Sequence, residues 1–474
     1  MTCARTAPDT RRRLRSFGLA TLLMTAVHWP AVAGTVPNPI VSGPIAVHAA
    51  PGDPSHDYPQ LASQLNLAKF GYVEEEFFFE GTANRYNTPT LTTGSVLDSG
   101  HPYKTRMIVR RPMFSGQFNG TVLVEWVNVT SGYNFDAMWE LSYDHLMREG
   151  YAYVGVSAQR VGVQQPPYGL TAWSPVRYGT LDVTAGGTIT NDALSYDIFS
   201  QASQAIRNPV GVDPLGGLKA KRIIAGGVSQ SEGRLVTYYN SIHPLAGAYD
   251  AFFLHLGLGG KLRQDIPTKL FKVNTENDVL LLGEAAARQP DSDTLHTWEI
   301  AGASHVGYDL MQFRLQLVTR DALAIPNTTA CTKPALSHVP TEQVMNAVYG
   351  HLVRWMDQGV TPPTAPRIEL SSVTPATAVR NSFGNALGGI QLAELAVPTA
   401  TDTGLNTGPV FCILYGSHEP FDAATLAALY PNHGKYVSQV DRVTAENLED
   451  GYIVPFDAMK TIVEAARSDI GKHH

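Results

Sequence analysis

An apolar run beginning at Arg222 passes into Gly227-Val228-Ser229-Gln230-Ser231 and from there into a helix-like segment. A serine on a tight strand-to-helix turn has its hydroxyl raised at the edge of a sheet, and its neighbours must be small because the turn is crowded. Gly227 and Ser231 fill those two positions, with Ser231 standing where a second glycine is commoner. A helix that starts just after Ser229 also turns its unpaired main-chain N–H groups toward a developing oxyanion. The pentapeptide alone is weak evidence, since such a pattern arises by chance in many chains. Its context carries the weight.

A serine hydroxyl is a poor nucleophile until a base takes its proton, so a histidine and an orienting carboxylate must follow at matching places. Downstream, the apolar run from Lys269 to Thr275 leads directly into Glu276-Asn277-Asp278, and the run from Leu295 leads into Ala303-Ser304-His305-Val306-Gly307. Of fifteen histidines, His305 is the one set just beyond a strand-like run in a Gly- and Ala-rich turn. It is the candidate general base. His243 and His296 are read as structural, and His145 as packed or solvated on a helix. Asp278 is favoured over Glu276 as the orienting acid, with both kept as candidates. The oxyanion donors are expected to be the N–H of Gln230 and one from the turn at Asn128 and Val129. Trp126, Tyr133 and Phe135 are weaker candidates for the substrate pocket.

These groups need a frame that brings them to one edge. Short β-branched or aromatic runs near Met107, Thr121, Tyr151, Arg222, Asp250, Lys269 and Leu295 are bounded by turn residues and read as strands. Helix-length stretches separate several of them, including 137–150 and a segment opening on Asn191, taken as an N-cap, and stopping before Pro209. The alternation predicts a mostly parallel sheet flanked by helices, with the site beyond the carboxyl ends of its strands. A further amphipathic helix is expected over 341–359. The link between the strands near Phe253 and Phe271 is short, so cover over the site has to come from elsewhere, and part of 360–474 is expected over or beside the cleft.

Residues 1–33 read as a cleaved export signal: four arginines between Arg11 and Arg15 precede an apolar run too short to cross a bilayer, and Ala31-Val32-Ala33 suits a signal peptidase. Export to the periplasm or the outside is therefore expected, with no membrane anchor. The chain carries a formal charge of −7, more negative still without that segment. So acidic a surface argues against nucleic acid as a partner. Cys331 and Cys412 either form one bridge or stay as buried thiols. No zinc-type spacing and no phosphate-binding loop is present in the sequence.

Several separated stretches carry a resemblance over roughly residues 100–470: 124–132 (VEWVNVTSG), 227–235 (GVSQSEGRL), 275–279 (TENDV), 299–309 (EIAGASHVGYD) and 383–400. They resemble a bacterial family of α/β-hydrolase domain-containing proteins. The resemblance implies an α/β-hydrolase fold, a Ser-acid-His hydrolase with esterase-like activity, and a C-terminal part that belongs to the fold. Where that family commonly has a small residue and Arg after Ser-Gln-Ser, this chain has Glu232 and Gly233, so Glu232 either alters charge at the rim of the site or faces solvent. The resulting expectation is a signal at 1–33, a lead-in at 34–100, a catalytic core at 101–360 and an extension at 361–474 packed on the core near the active-site cleft. The expected reaction is cleavage of a small or polymeric carboxylic ester or lactone through an acyl-enzyme, without metal or organic cofactor. Acyl transfer by the same residues, and a non-catalytic exported binding protein, are the competing readings.

Overall fold

The computed structural model describes residues 1–2 and 36–472, so the expected export signal lies outside the described residues except for Met1 and Thr2. Among the described residues, no helix is long and apolar enough to cross a membrane. The centre of the fold is a ten-stranded sheet. Its strands are β1 (Ile40–Ser42), β2 (Tyr72–Asn87), β3 (Ser95–Pro112), β4 (Thr121–Trp126), β5 (Ala152–Val156), β6 (Val210–Gly211), β7 (Arg222–Val228), β8 (Ala251–His255), β9 (Lys269–Thr275) and β10 (Leu295–Ile300). Their order across the sheet is β10-β9-β8-β7-β4-β5-β3-β2-β1-β6. From β10 to β5 every pairing is parallel, whereas β5–β3, β3–β2 and β2–β1 are antiparallel. In the parallel half all carboxyl ends reach one edge, and that edge receives the candidate residues.

The strands of the centre are buried along their whole length because they are covered on both faces: every residue of β4, β5, β8 and β10 is buried. The covering helices are α1 (Ala137–Arg148), α2 (Ser195–Arg207), α3 (Gln230–Thr237), α4 (Glu276–Leu281), α5 (Tyr308–Arg320) and α6 (Thr341–Gln358). Helix α6 ends on Gly359 in the left-handed region, as a terminating glycine should. Helix α2 departs from expectation. It starts at Ser195, because the Asn191 side chain accepts from the Ala193 N–H in a local turn and the carbonyl of Asp192 receives both the N–H and the hydroxyl of Ser195. Asn191 is therefore not its N-cap.

The segment 34–100, expected as a lead-in, instead supplies β1, β2 and the start of β3 to the sheet. Its run of three glutamates and three phenylalanines, Glu74 to Phe79, carries no strand pattern. Phe77, Phe78 and Phe79 are all buried, so no two-residue alternation marks the strand. The glutamates meet arginines: Glu74 with Arg110, Glu75 with Arg111, and Glu76 with both Arg106 and Arg177. The described residues 36–472 form one unit, with no break at 100 or at 360. The stretch after α6 joins the sheet edge through a parallel bridge between Ile300 and Ile390, and ends in two helices, α7 (His433–Glu449) and α8 (Pro455–Arg467), packed on each other.

Candidate functional site

Ser229 stands between the last residue of β7 and the first of α3, with φ 60° and ψ −118°. Such a backbone conformation in a non-glycine residue costs about 1–3 kcal/mol and persists only where its surroundings enforce it. Three contacts do so here. The Ser229 N–H donates to the carbonyl of His255 at 3.0 Å, and its own carbonyl accepts from the Gly233 N–H at 3.1 Å. The wholly buried Ser231 hydroxyl accepts from the Val228 N–H at 3.0 Å, a bond that a glycine at this position lacks. Gly227 has no such latitude, since a Cβ there would meet Leu235 at 2.8 Å and the carbonyl of Ser231 at 3.0 Å.

His305 sits in the loop after β10, almost fully buried, with Nε2 2.7 Å from the Ser229 Oγ and Nδ1 2.6 Å from Asp278 Oδ1. Asp278 Oδ2 accepts the Thr275 N–H at 2.7 Å, while the Thr275 hydroxyl accepts from the Asp278 N–H. This capping box at the start of α4 fixes the carboxylate. A carboxylate accepts hydrogen bonds, so the proton of the neutral ring sits on Nδ1 and Nε2 is left to accept from the serine. His255, buried beside this group, has its imidazole pushed down to about 4 by burial and adds no competing positive charge at neutral pH.

Glu276 is equally buried but faces elsewhere. Its oxygens accept from the Gly302 N–H at 2.8 Å, from Arg380 at 2.7 Å and from the Gly404 N–H at 3.2 Å. Asn277 donates to the carbonyls of Gly404 and Ile413. Thus 276 and 277 fasten the extension to the His305 loop, while 278 meets the imidazole. Gly302, at φ 74°, is required in that loop because a Cβ would lie 2.4 Å from Leu395.

The turn after β4 holds a correction. The N–H of Asn128 donates to the carbonyl of Phe135 at 2.9 Å, so it is not free for an oxyanion. Its side chain bridges the carbonyl of Val228 and the N–H of Thr130 instead, pinning this turn to the serine turn. Among the described residues, the N–H groups of Val129 and Gln230 have no acceptor.

A cavity of about 390 Å³ opens over Ser229 and His305. Phe135 lines it. Trp126 and Tyr133 do not: Trp126 is sealed in the core against Tyr196 and Phe199 with its indole N–H on Gln159, and the Tyr133 hydroxyl accepts from Arg314. Leu310 and Arg314 of α5 also line the cavity, and the cover sought from 360–474 comes from Val410, Phe411, Leu414 and Tyr415 together with 324–327, which the sequence did not single out. The last two segments are joined by a disulfide between Cys331 and Cys412, 81 residues apart. Glu232 is neither at the rim nor in solvent; it is buried and paired with Lys272 of β9 at 3.1 Å. Among the described residues, no group of three or more His, Cys, Asp or Glu side chains could hold a metal ion.

The family described as "Alpha/beta hydrolase domain" matches residues 41–463. No curated protein matches the chain. Solved structures to which it is similar include a cold-adapted esterase from an Arctic intertidal metagenomic library, at 9% identity and TM-score 0.27, covering 53% of this chain and 95% of that one. A thermophilic esterase from Thermogutta terrifontis shares 12% identity at TM-score 0.22, over 41% of this chain and 76% of the other. A glucuronoyl esterase from Caldicellulosiruptor kristjansonii shares 11% at TM-score 0.24, over 62% and 84%.

Proposed function

The chain belongs to the alpha/beta hydrolase domain family, and from that premise we propose that it is a serine esterase. In the reaction we infer, Ser229 Oγ attacks the carbonyl carbon of an ester or lactone while His305 Nε2 takes its proton. The oxyanion is held by the N–H groups of Gln230 and Val129. Collapse of the tetrahedral intermediate expels the alcohol, protonated by His305, and leaves an acyl group on Ser229. Water, deprotonated by the same imidazole, then attacks that acyl carbon and frees the acid. Asp278 holds the ring in the tautomer with its proton on Nδ1 and stabilises the imidazolium that forms twice per turnover.

The observation that carries this reading is the unbroken hydrogen-bond sequence Ser229–His305–Asp278, at 2.7 and 2.6 Å, beneath the cavity. We also propose export across the inner membrane; the Cys331–Cys412 bridge supports it, since disulfides persist in oxidising compartments. The test is fluorophosphonate labelling of the purified chain with mass-spectrometric mapping of the adduct. Labelling at Ser229, lost in His305→Ala, is expected. Absence of a label, or a label elsewhere, overturns the reading in favour of a binding protein that keeps the fold.

A further inference from the structure

One cation in the wall of the cavity has no counter-ion. Arg314 projects from α5 one turn beyond Leu310, on the same face of the helix, and both residues line the space over Ser229. It is only 6% exposed. Elsewhere in this protein a buried guanidinium meets a carboxylate: Arg106 meets Glu76, Arg110 meets Glu74 and Asp136, and Arg177 meets Glu76. Arg314 forms no such pair among the described residues. Its Nε and Nη2 donate to neutral hydroxyls, those of Tyr133 and Ser131, and its Cζ lies 4.0 Å from the centre of the Phe135 ring. Nη1 makes no hydrogen bond within the described residues. Glu140 lies within electrostatic range but forms no ion pair with it, and burial together with nearby Asp136 pushes the Glu140 carboxyl well above the usual carboxylate range, toward the neutral form.

A buried charge is ordinarily matched, because leaving it unpaired in a poorly hydrated site is costly. A guanidinium in the wall of a ligand cavity, fixed by an aromatic ring and two hydroxyls and with Nη1 still unused, is preorganised to donate to an anion. We infer that Arg314 recognises a carboxylate, and that the substrate class is an ester carrying a free carboxylate in its acyl or its alcohol part. The inference rests on the serine esterase reading. Arg314 is then a specificity-determining residue: it takes no part in the chemical steps and holds the distant end of the substrate.

The test uses two matched pairs, followed by release of the phenol. 4-Nitrophenyl hemiglutarate against its methyl ester places the carboxylate in the acyl part; 4-acetoxybenzoate against its methyl ester places it in the alcohol part. In the wild type one pair is expected to favour the free acid by about ten- to a hundredfold in kcat/KM, the range of a hydrogen bond to a charged group. That ratio should fall to near one in Arg314→Gln, chiefly through KM, and be partly kept in Arg314→Lys. Ratios at or below one for both pairs in the wild type overturn the inference without needing any variant to fold, and so does a ratio that survives Arg314→Gln. If Ser229 takes the fluorophosphonate while the pairs are not discriminated, only the carboxylate assignment fails. If Ser229 is not labelled and no ester is cleaved, the esterase reading itself fails and this inference with it.

Discussion

Replacing each of the two adjacent carboxylates in turn separates catalysis from support. In Asp278→Asn the side chain keeps its size, but one of its two positions becomes an NH₂ group. The native oxygens face two donors, the Thr275 N–H at 2.7 Å and His305 Nδ1 at 2.6 Å. Asparagine serves one of them and sets a donor against the other. With its NH₂ toward His305, it draws the ring proton onto Nε2, where it faces the serine hydroxyl and cannot act as a base. The same change in other Ser-His-Asp sites lowers kcat by about 10⁴, which is about 5.5 kcal/mol of transition-state stabilisation. A loss of that order, confined to kcat, is expected with 4-nitrophenyl acetate. Glu276→Gln also leaves a single acceptor: with its oxygen kept toward Gly404 and Arg380, whose side chain is 24% exposed, its NH₂ is set against the Gly302 N–H, a mismatch that lies away from the imidazole. A loss of about 1–2 kcal/mol of stability, discounted for that exposure, and less than tenfold in kcat is expected, read by denaturant melts beside the kinetics. A thousandfold loss of kcat in Glu276→Gln with little change in Asp278→Asn would refute the assignment of the triad acid.

Three further outcomes follow from features already described. Burial holds the His145 imidazole neutral, its pKa pushed down to about 3 and neither ring nitrogen partnered; below about pH 6.5 the unfolded chain takes a proton that the folded chain refuses, so folding weakens as pH falls. His145→Phe should narrow the stability gap between pH 7.5 and pH 5 by about 2 kcal/mol, and an unchanged gap in denaturant titrations would count against it. Cys412→Ala opens a loop spanning 81 residues and should lower stability by about 4 kcal/mol on the chain-entropy view; an unmoved unfolding midpoint would show that the bridge constrains nothing. Asn128→Ala removes the tie between the β4 turn and the serine turn and should lower kcat by about ten- to a hundredfold with little change in KM, whereas a change confined to KM would place the residue in binding instead.

The sequence was most legible where chemistry and local geometry coincide. Gly227 through Ser231, the turn after β9 and the Gly- and Ala-rich loop around His305 could be found because a nucleophile elbow and strand-end loops leave short-range marks. A mark also existed for the choice between Asp278 and Glu276: Thr275 followed by an acid three residues later is a capping box, which holds its acid in one place. Other features were invisible for a physical reason. Glu74 to Phe79 form a strand whose glutamates are satisfied by arginines 36, 30 and over 100 residues away, so its pattern reads as neither strand nor helix. The choice of Val129 over Asn128 as the free donor depends on a pairing across the turn with Phe135, and the burial of Trp126 depends on Gln159, Tyr196 and Phe199 closing over it. The cavity wall was legible only in outline, as cover from some part of 360–474, because 324–327 and 410–415 come together only after the sheet is complete.

That wall has a consequence for how the protein could be altered. Everything proposed to make or break bonds lies between Val129 and His305, on turns at the ends of parallel strands, whereas two outer segments that shape the space above, 324–327 and 410–415, lie later in the chain and are laced to each other through Cys331 and Cys412. Reactivity and selectivity are thus written in different stretches of polypeptide. Exchanged together, with the bridge and the carbonyls that meet Asn277 and Val306 kept, the two laced segments should give the same nucleophile a chamber of another shape, while a graft of either one alone would set a foreign edge against its native partner.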